Sequence, residues 1–396
     1  MKFIRLILIV IAAALIAWGL NGNVMAFHDG GVAHCDGCHT MHSSADNPPG
    51  GTVTEALLKG TDPSSTCLNC HAGGWESRIN YHIFSDNGGV LSPGGDFFWL
   101  TQDYQVEIRP GTFEDFEGQN MGHNVVATDY GLTADSANTA APGGSFLNTD
   151  LSCVSCHSPH GESEGGTRGG AAAISGSGSY SDPDPTDGSR LGKYRLLRDA
   201  NDAPPGASSW PNPAPVAVAD GSTSAGRYTE TDTSYVAYMD GMSEWCANCH
   251  TAYLNDPNKH PAQATLGSLF NNYNSYVATG NFTGSQSTSY LPLVPFEHND
   301  PVRTNGLDYP TSGAGPTNGT ATVMCLTCHR AHASAFNNAT RWQTETEFLS
   351  DQIPTTTEIP AMANDNVPYY GRDIIGGTYF GTEWQRQLCN KCHVQD

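Results

Sequence analysis

All twelve cysteines of this chain fall into six pairs with two residues between the partners: Cys35 and Cys38, Cys67 and Cys70, Cys153 and Cys156, Cys246 and Cys249, Cys325 and Cys328, Cys389 and Cys392. A histidine follows each pair at once: His39, His71, His157, His250, His329 and His393. An even cysteine count suits a disulfide framework, and CxxC knuckles suit zinc. Neither accounts for the histidine. With 15 histidines in 396 residues, six matches by chance is roughly a one in 10⁸ event or rarer, whereas C-x-x-C-H is the attachment sequence of c-type haem. Two cysteines one helical turn apart can each form a thioether with a vinyl group on one haem edge, while the next residue turns its imidazole onto the iron. The motifs therefore predict six covalently attached haem c groups, each with a proximal histidine.

The haems answer a question that composition raises. Only 38% of the residues are hydrophobic, and 44 Gly and 24 Pro interrupt regular structure, too little apolar material for a rich aliphatic core over this length. Yet 7 Trp, 16 Tyr and 14 Phe are more aromatics than a disordered acidic chain carries. Six macrocycles would complete the interior. The expected fold is a multihaem cytochrome c, loop-rich, with short α-helices around a chain of six stacked haems and very little β structure. An apoprotein of this kind should not fold. Charge narrows the partners: 18 Lys and Arg against 40 Asp and Glu give −22, which disfavours nucleic acid and anionic membrane surfaces.

Lys2 and Arg5 precede an uncharged run from Leu6 to Leu20, and Val24-Met25-Ala26 offers small residues for cleavage, so residues 1–26 read as a secretory signal peptide. Residues 27–396 are expected to form one domain, at −24 once Lys2 and Arg5 leave. The motif starts lie 32, 86, 93, 79 and 64 residues apart, so no repeat of fixed period is present. Gly165 to Arg190 and Asp202 to Gly226 read as extended surface loop. The acidic DPDPTDG at 182–188 lacks the ligand spacing of a calcium loop. Helix starts are expected at Thr382 with Gln385, at Ser243, and at Thr54 before a segment stopped by Gly60.

Nine histidines remain after the proximal six: His28, His34, His42, His82, His123, His160, His260, His298 and His332. They suffice for every iron to be bis-histidine, which leaves no open coordination position and argues for electron transfer rather than catalysis. Methionine is the rival ligand, and eight are present: Met1 and Met25 leave with the signal, Met41 and Met324 lie inside or beside motifs, and the others have no distinctive setting and are better read as packing. His42, His160 and His332 each follow a proximal histidine by three residues. The porphyrin plane blocks such a residue from the far face of the same iron, so each must serve a different haem if it ligates at all.

Several strings, most of them extending beyond the haem motifs, carry a resemblance: FHDGGVAHCDGCHTMH at 27–42, SPGGDF at 92–97, GHNVVA at 122–127, GMSEWCANCHT at 241–251, CLTCHRAHASAF at 325–336, YYGR at 369–372 and RQLCNKCH at 386–393. The chain resembles the hexahaem outer-surface c-type cytochromes of the extracellular filament, or nanowire, family. That resemblance implies export to the outer cell surface, protomers polymerised head to tail, bis-histidine haems throughout, and electrons passed to other multihaem cytochromes and external acceptors such as metal oxides. His28, His42, His82, His123, His160, His260 and His332 stand at matching positions, while His34 and His298 do not. Seven candidates compete for six irons, and His28, beside the mature terminus, is the one set last. The resemblance further implies that His42 ligates the haem attached at Cys325, Cys328 and His329 of the adjoining protomer. A monomeric periplasmic or surface shuttle is the alternative. A multihaem reductase would need a five-coordinate iron, often marked by an altered motif, and none of the six is altered.

Overall fold

The computed structural model describes residues 37–40, 57–73, 82–89, 92–159, 194–219, 232, 235–254, 262–299, 313–344, 357–360 and 386–393. Helices within them are short, and most carry a CxxCH motif. The longest, α1 (Pro63–His71), has nine residues. Proline at its first position needs no hydrogen-bond partner there, and the Asp62 carboxylate accepts the Ser65 N–H at 2.7 Å as an N-cap. The second Asp62 oxygen accepts the Thr128 N–H, also at 2.7 Å, tying the helix start to a distant loop.

Two four-residue helices, α2 (Cys153–Cys156) and α6 (Cys325–Cys328), are motif turns built alike. In α2 the Ser155 hydroxyl accepts the Ser152 N–H at 2.9 Å, and in α6 the Thr327 hydroxyl accepts the Met324 N–H at 3.0 Å. The fourth motif ends α3 (Met242–Cys246), and the sixth begins in α7 (Arg386–Cys389). Helices α4 (Thr251–Leu254) and α5 (Leu269–Ser275) carry no cysteine. Inside the sixth motif, buried Lys391 donates to the carbonyls of Tyr273 at 2.7 Å and Ser289 at 2.9 Å, anchoring that motif on α5. Burial holds this amine at about 8.

Strands are few. β1 (Tyr104–Arg109) and β2 (Thr112–Phe116) make an antiparallel hairpin whose tight turn uses Gly111 at φ +79. Paired Tyr104 and Phe116 stack at 4.8 Å. β3 (Val216–Ala219) and β4 (Val236–Asp240) form a second antiparallel pair. The protein core is chiefly aromatic: Phe97, Phe98, Trp99, Phe116, Tyr273 and Phe336 are all buried in one cluster. A second, smaller cluster holds Val236, Tyr238, Met242, Met324 and Leu326, so Met324 packs in the core.

Three local expectations need correction. Ser243 lies inside α3, behind Gly241 at the N-cap, and its hydroxyl instead accepts the Cys325 N–H at 3.1 Å. Residues 57–60 are not helical: Leu57 has φ +53, and Leu58 forms a β-bridge with His39. The stretch from Asp202 is a surface loop only in part: residues 203–215 form no helix or strand and Ala203, Gly206, Ser208 and Pro211 are exposed, but Asp202, Trp210 and Ala217 are buried and β3 ends the described part. An ion pair with Arg198 at 2.7 Å holds Asp202 inside. The segments at 165–190 and 382–385, with DPDPTDG, lie outside the described residues.

Candidate haem-binding site

The motifs neighbour one another in chain order. The thiols of Cys67 and Cys153 are hydrogen bonded, as are those of Cys246 and Cys325. Cys38 lies close enough to Cys67 to raise the latter's pKa, as Cys249 does for Cys156 and Cys328 for Cys392. Six motifs separated irregularly along the sequence thus each lie beside the next in chain order.

Along the middle of that series runs a cavity of about 1380 Å³, walled by the second to fifth motifs and by His82, His123 and His332. It exceeds the roughly 300–1,000 Å³ of ordinary small-molecule pockets. Its other walls are largely apolar, with Phe97, Phe146, Leu197 and Trp245 among polar groups such as Asn124 and Arg195, which suits a large flat apolar group with polar edges rather than a hydrated ion. Among the described residues no three of the His, Cys, Asp and Glu side chains converge to hold a bare metal.

Imidazoles face each other in this space. The rings of His157 and His332 are 6.5 Å apart at 56°, and those of His123 and His250 are 5.9 Å apart at 56°. Four rings have Nδ1 on a backbone carbonyl: His157 on Arg195 at 2.9 Å, His329 on Asn338 at 2.8 Å, His250 on Pro142 at 2.8 Å and His123 on Ala331 at 2.7 Å. A carbonyl can only accept, so Nδ1 carries the proton and Nε2 keeps a free lone pair for a metal. Enclosure in the cavity walls pushes His123 and His157 down to about 4 and His332 to about 3, keeping all three neutral and able to ligate.

Glycine makes room for two of these rings. A Cβ at Gly73 would collide with the His82 imidazole, and one at Gly94 would stand 2.7 Å from His332 Nδ1. His332 is further steadied by stacking on Phe97 at 4.8 Å. His298 packs against Phe296 at 4.7 Å and is not part of the cavity wall. Cys35, His28, His34, His42, His160 and His260 lie outside the described residues. Sequence reasoning missed the accepting carbonyls and both glycines, because neither leaves a mark on side-chain spacing.

A series of CxxCH turns sharing a largely apolar cavity, with neutral imidazoles opposed across it, is the architecture of a multihaem c-type cytochrome. No family model matches the chain, but individual proteins do. The C-type cytochrome OmcS of Geobacter sulfurreducens is 36% identical over 415 aligned positions, covering 94% of each chain. Two solved structures are similar. The cryo-EM structure of the OmcS nanowires from Geobacter sulfurreducens has a TM-score of 0.70 at 35% identity, and the Outer Membrane Cytochrome S filament from the same organism has 0.67 at 34%. Each match covers 93% of this chain and all of the other. The chain belongs to the OmcS family of c-type cytochromes.

Proposed function

We propose that this protein is a unit of an extracellular electron conduit: exported by residues 1–26, folded as one domain over 27–396, carrying six covalent haem c groups, and polymerised head to tail on the outer cell surface. The observation that carries the reading is the separation of the opposed imidazoles. A ligating nitrogen lies about 2 Å from its metal, so two imidazoles on opposite faces of one iron place their ring centres roughly 6 Å apart. The pairs His157–His332 and His123–His250 stand at 6.5 and 5.9 Å. His332 would then hold the third haem together with His157, and His123 the fourth together with His250. The distal positions of the other haems fall to His42, His82, His160, His260 and, last, His28.

The haems, when bound, supply one-electron redox centres. The chain's own part is to hold them. Paired cysteines would fix each haem covalently, neutral imidazoles would hold its iron and keep substrate away, and the largely apolar walls would exclude water. The motif order would set a continuous row, and the homopolymer would extend it between protomers. Similarity to two filament structures supports polymerisation, and the absence of an altered motif supports transfer rather than a reductase. Other multihaem cytochromes and mineral acceptors are the partners that an exported conduit would meet.

Three measurements on exported protein test this. Mass spectrometry should find six haem additions on a chain starting at Phe27. Electron paramagnetic resonance of the oxidised protein should show low-spin signals alone, and micrographs should show filaments. A substantial high-spin signal with rapid cyanide binding would indicate a reductase, and dispersed particles with six low-spin haems a monomeric shuttle.

A further inference from the structure

The third and fifth motifs are each crossed by the same strap, although the two straps share little sequence and lie at different distances along the chain. Over the third motif runs Arg195-Leu196-Leu197-Arg198, and over the fifth Asn338-Ala339-Thr340-Arg341. The first strap residue offers its carbonyl to the proximal imidazole, Arg195 to His157 at 2.9 Å and Asn338 to His329 at 2.8 Å. The second accepts the N–H after that histidine, Leu196 from Ser158 at 2.8 Å and Ala339 from Arg330 at 2.7 Å. The fourth donates its N–H to the second cysteine, Arg198 to Cys156 at 2.9 Å and Arg341 to Cys328 at 2.7 Å. The first motif repeats the backbone part, with Thr40 on Leu57 at 2.7 Å and Lys59 on Cys38 at 2.9 Å.

In both complete straps the first two residues are left-handed, at φ 49 and 56 for Arg195 and Leu196 and φ 59 and 54 for Asn338 and Ala339. Non-glycine residues adopt this conformation only where surrounding bonds over-determine it. One such bond depends on side-chain chemistry. Arg198 Nε donates to the Val154 carbonyl at 2.6 Å, and Arg341 Nε donates to the Leu326 carbonyl at 2.5 Å, in each case the first residue between the two cysteines. Both arginines are buried.

We propose that Arg198 and Arg341 are positioning residues for the third and fifth haem irons: each braces the attachment turn against the strap and so holds the strap carbonyl on Nδ1 of the proximal histidine. An Nδ1 hydrogen bond makes a ligating imidazole a stronger donor, which favours ferric iron, so the brace sets the reduction potential of its haem. This inference rests on the haem reading of the motifs.

The test uses the exported holoprotein with Arg198→Lys and, separately, Arg341→Lys. Lysine keeps the charge but lacks the planar fork. Haem content by mass should stay at the parent value. Potentiometric titration should show one haem shifted to higher potential, its oxidised-to-reduced ratio at fixed applied potential falling severalfold and up to tenfold (about 59 mV for one electron). One low-spin resonance should change with it. Arg→Met at either site gives a larger shift of the same haem or, if that variant does not fold, leaves the lysine pair to decide. Parent-like titrations and resonances in both lysine variants would overturn the proposal and leave the arginines as packing. Failure of the haem reading itself would look different, since the parent would then carry no covalent haem.

Discussion

At the scale of single residues, the site depends on groups that present no side chain at all. Gly94 lets the backbone pass beside His332, and an added Cβ would stand 2.7 Å from Nδ1 of that ring, closer than carbon and nitrogen settle without displacement. Phe97, stacked on the same ring, leaves it little freedom to yield. Gly94→Ala should therefore keep every covalent haem, because attachment depends on the cysteines, yet turn one haem partly high-spin by displacing a distal ligand. Electron paramagnetic resonance beside haem mass would show this, and an unchanged low-spin spectrum would mean that His332 is not an axial ligand. The CxxCH turns that wall the cavity were legible in the sequence, since C-x-x-C-H is a local signature. The spacing of His332 to His329 directs it to another motif or to none, and its ring stands beside that of His157 in the third motif. Gly73 and Gly94 were not legible, because among 44 glycines nothing marks those that a ring must pass.

At the scale of elements, short helices take their caps from far along the chain. α3 starts at Met242 behind Gly241, which has no capping side chain, and Glu297 closes that end by accepting the Met242 N–H at 2.6 Å. Its other oxygen accepts the Thr322 hydroxyl at 3.1 Å. Local pattern suggested Ser243 as the cap because pattern reasoning sees only neighbours, and the partner is 55 residues away. The same limit explains β3, whose partner strand lies beyond a Gly- and Ser-rich stretch, and the residues at 57–60, where bridging to His39 overrode helical propensity. The cap has a consequence for pH. Burial, with Glu244 and Asp240 nearby, raises Glu297 from 4.5 to about 7 despite its two hydrogen bonds. A carboxyl raised on folding contributes stability that is complete below 4.5 and is lost as pH rises through about 7. The parent should thus lose stability between about pH 5 and 8, by at most about 3 kcal/mol. Glu297→Gln should flatten that slope. Denaturant unfolding at the two ends of the range checks it, and equal slopes in parent and variant would refute the assignment.

At the scale of the whole molecule, the series of motifs must continue past each end of the protomer if electrons are to travel further than one chain. Its ends are set by the first motif, beside Cys67, and the sixth, beside Cys328. Six motifs were legible in the sequence, but their spatial order was not, because irregular spacing says nothing about which turns pack together. Charge opposes continuation: with −22 on the full chain and −24 after removal of Lys2 and Arg5, protomers repel one another unless specific contacts prevail. A coordination bond across the boundary would supply both strength and geometry, and a head-to-tail contact that does not close on itself produces a filament. In the sequence, His42 is the candidate for this role, three residues past His39 and 16 residues into a chain starting at Phe27. His42→Ala should retain six covalent haems, open one iron to cyanide, and weaken or abolish polymerisation. Haem mass, spin state and micrographs of the same preparation decide the matter together. Normal filaments with only low-spin haems would remove His42 from the boundary and make His28, the other candidate near the mature terminus, the residue to replace next.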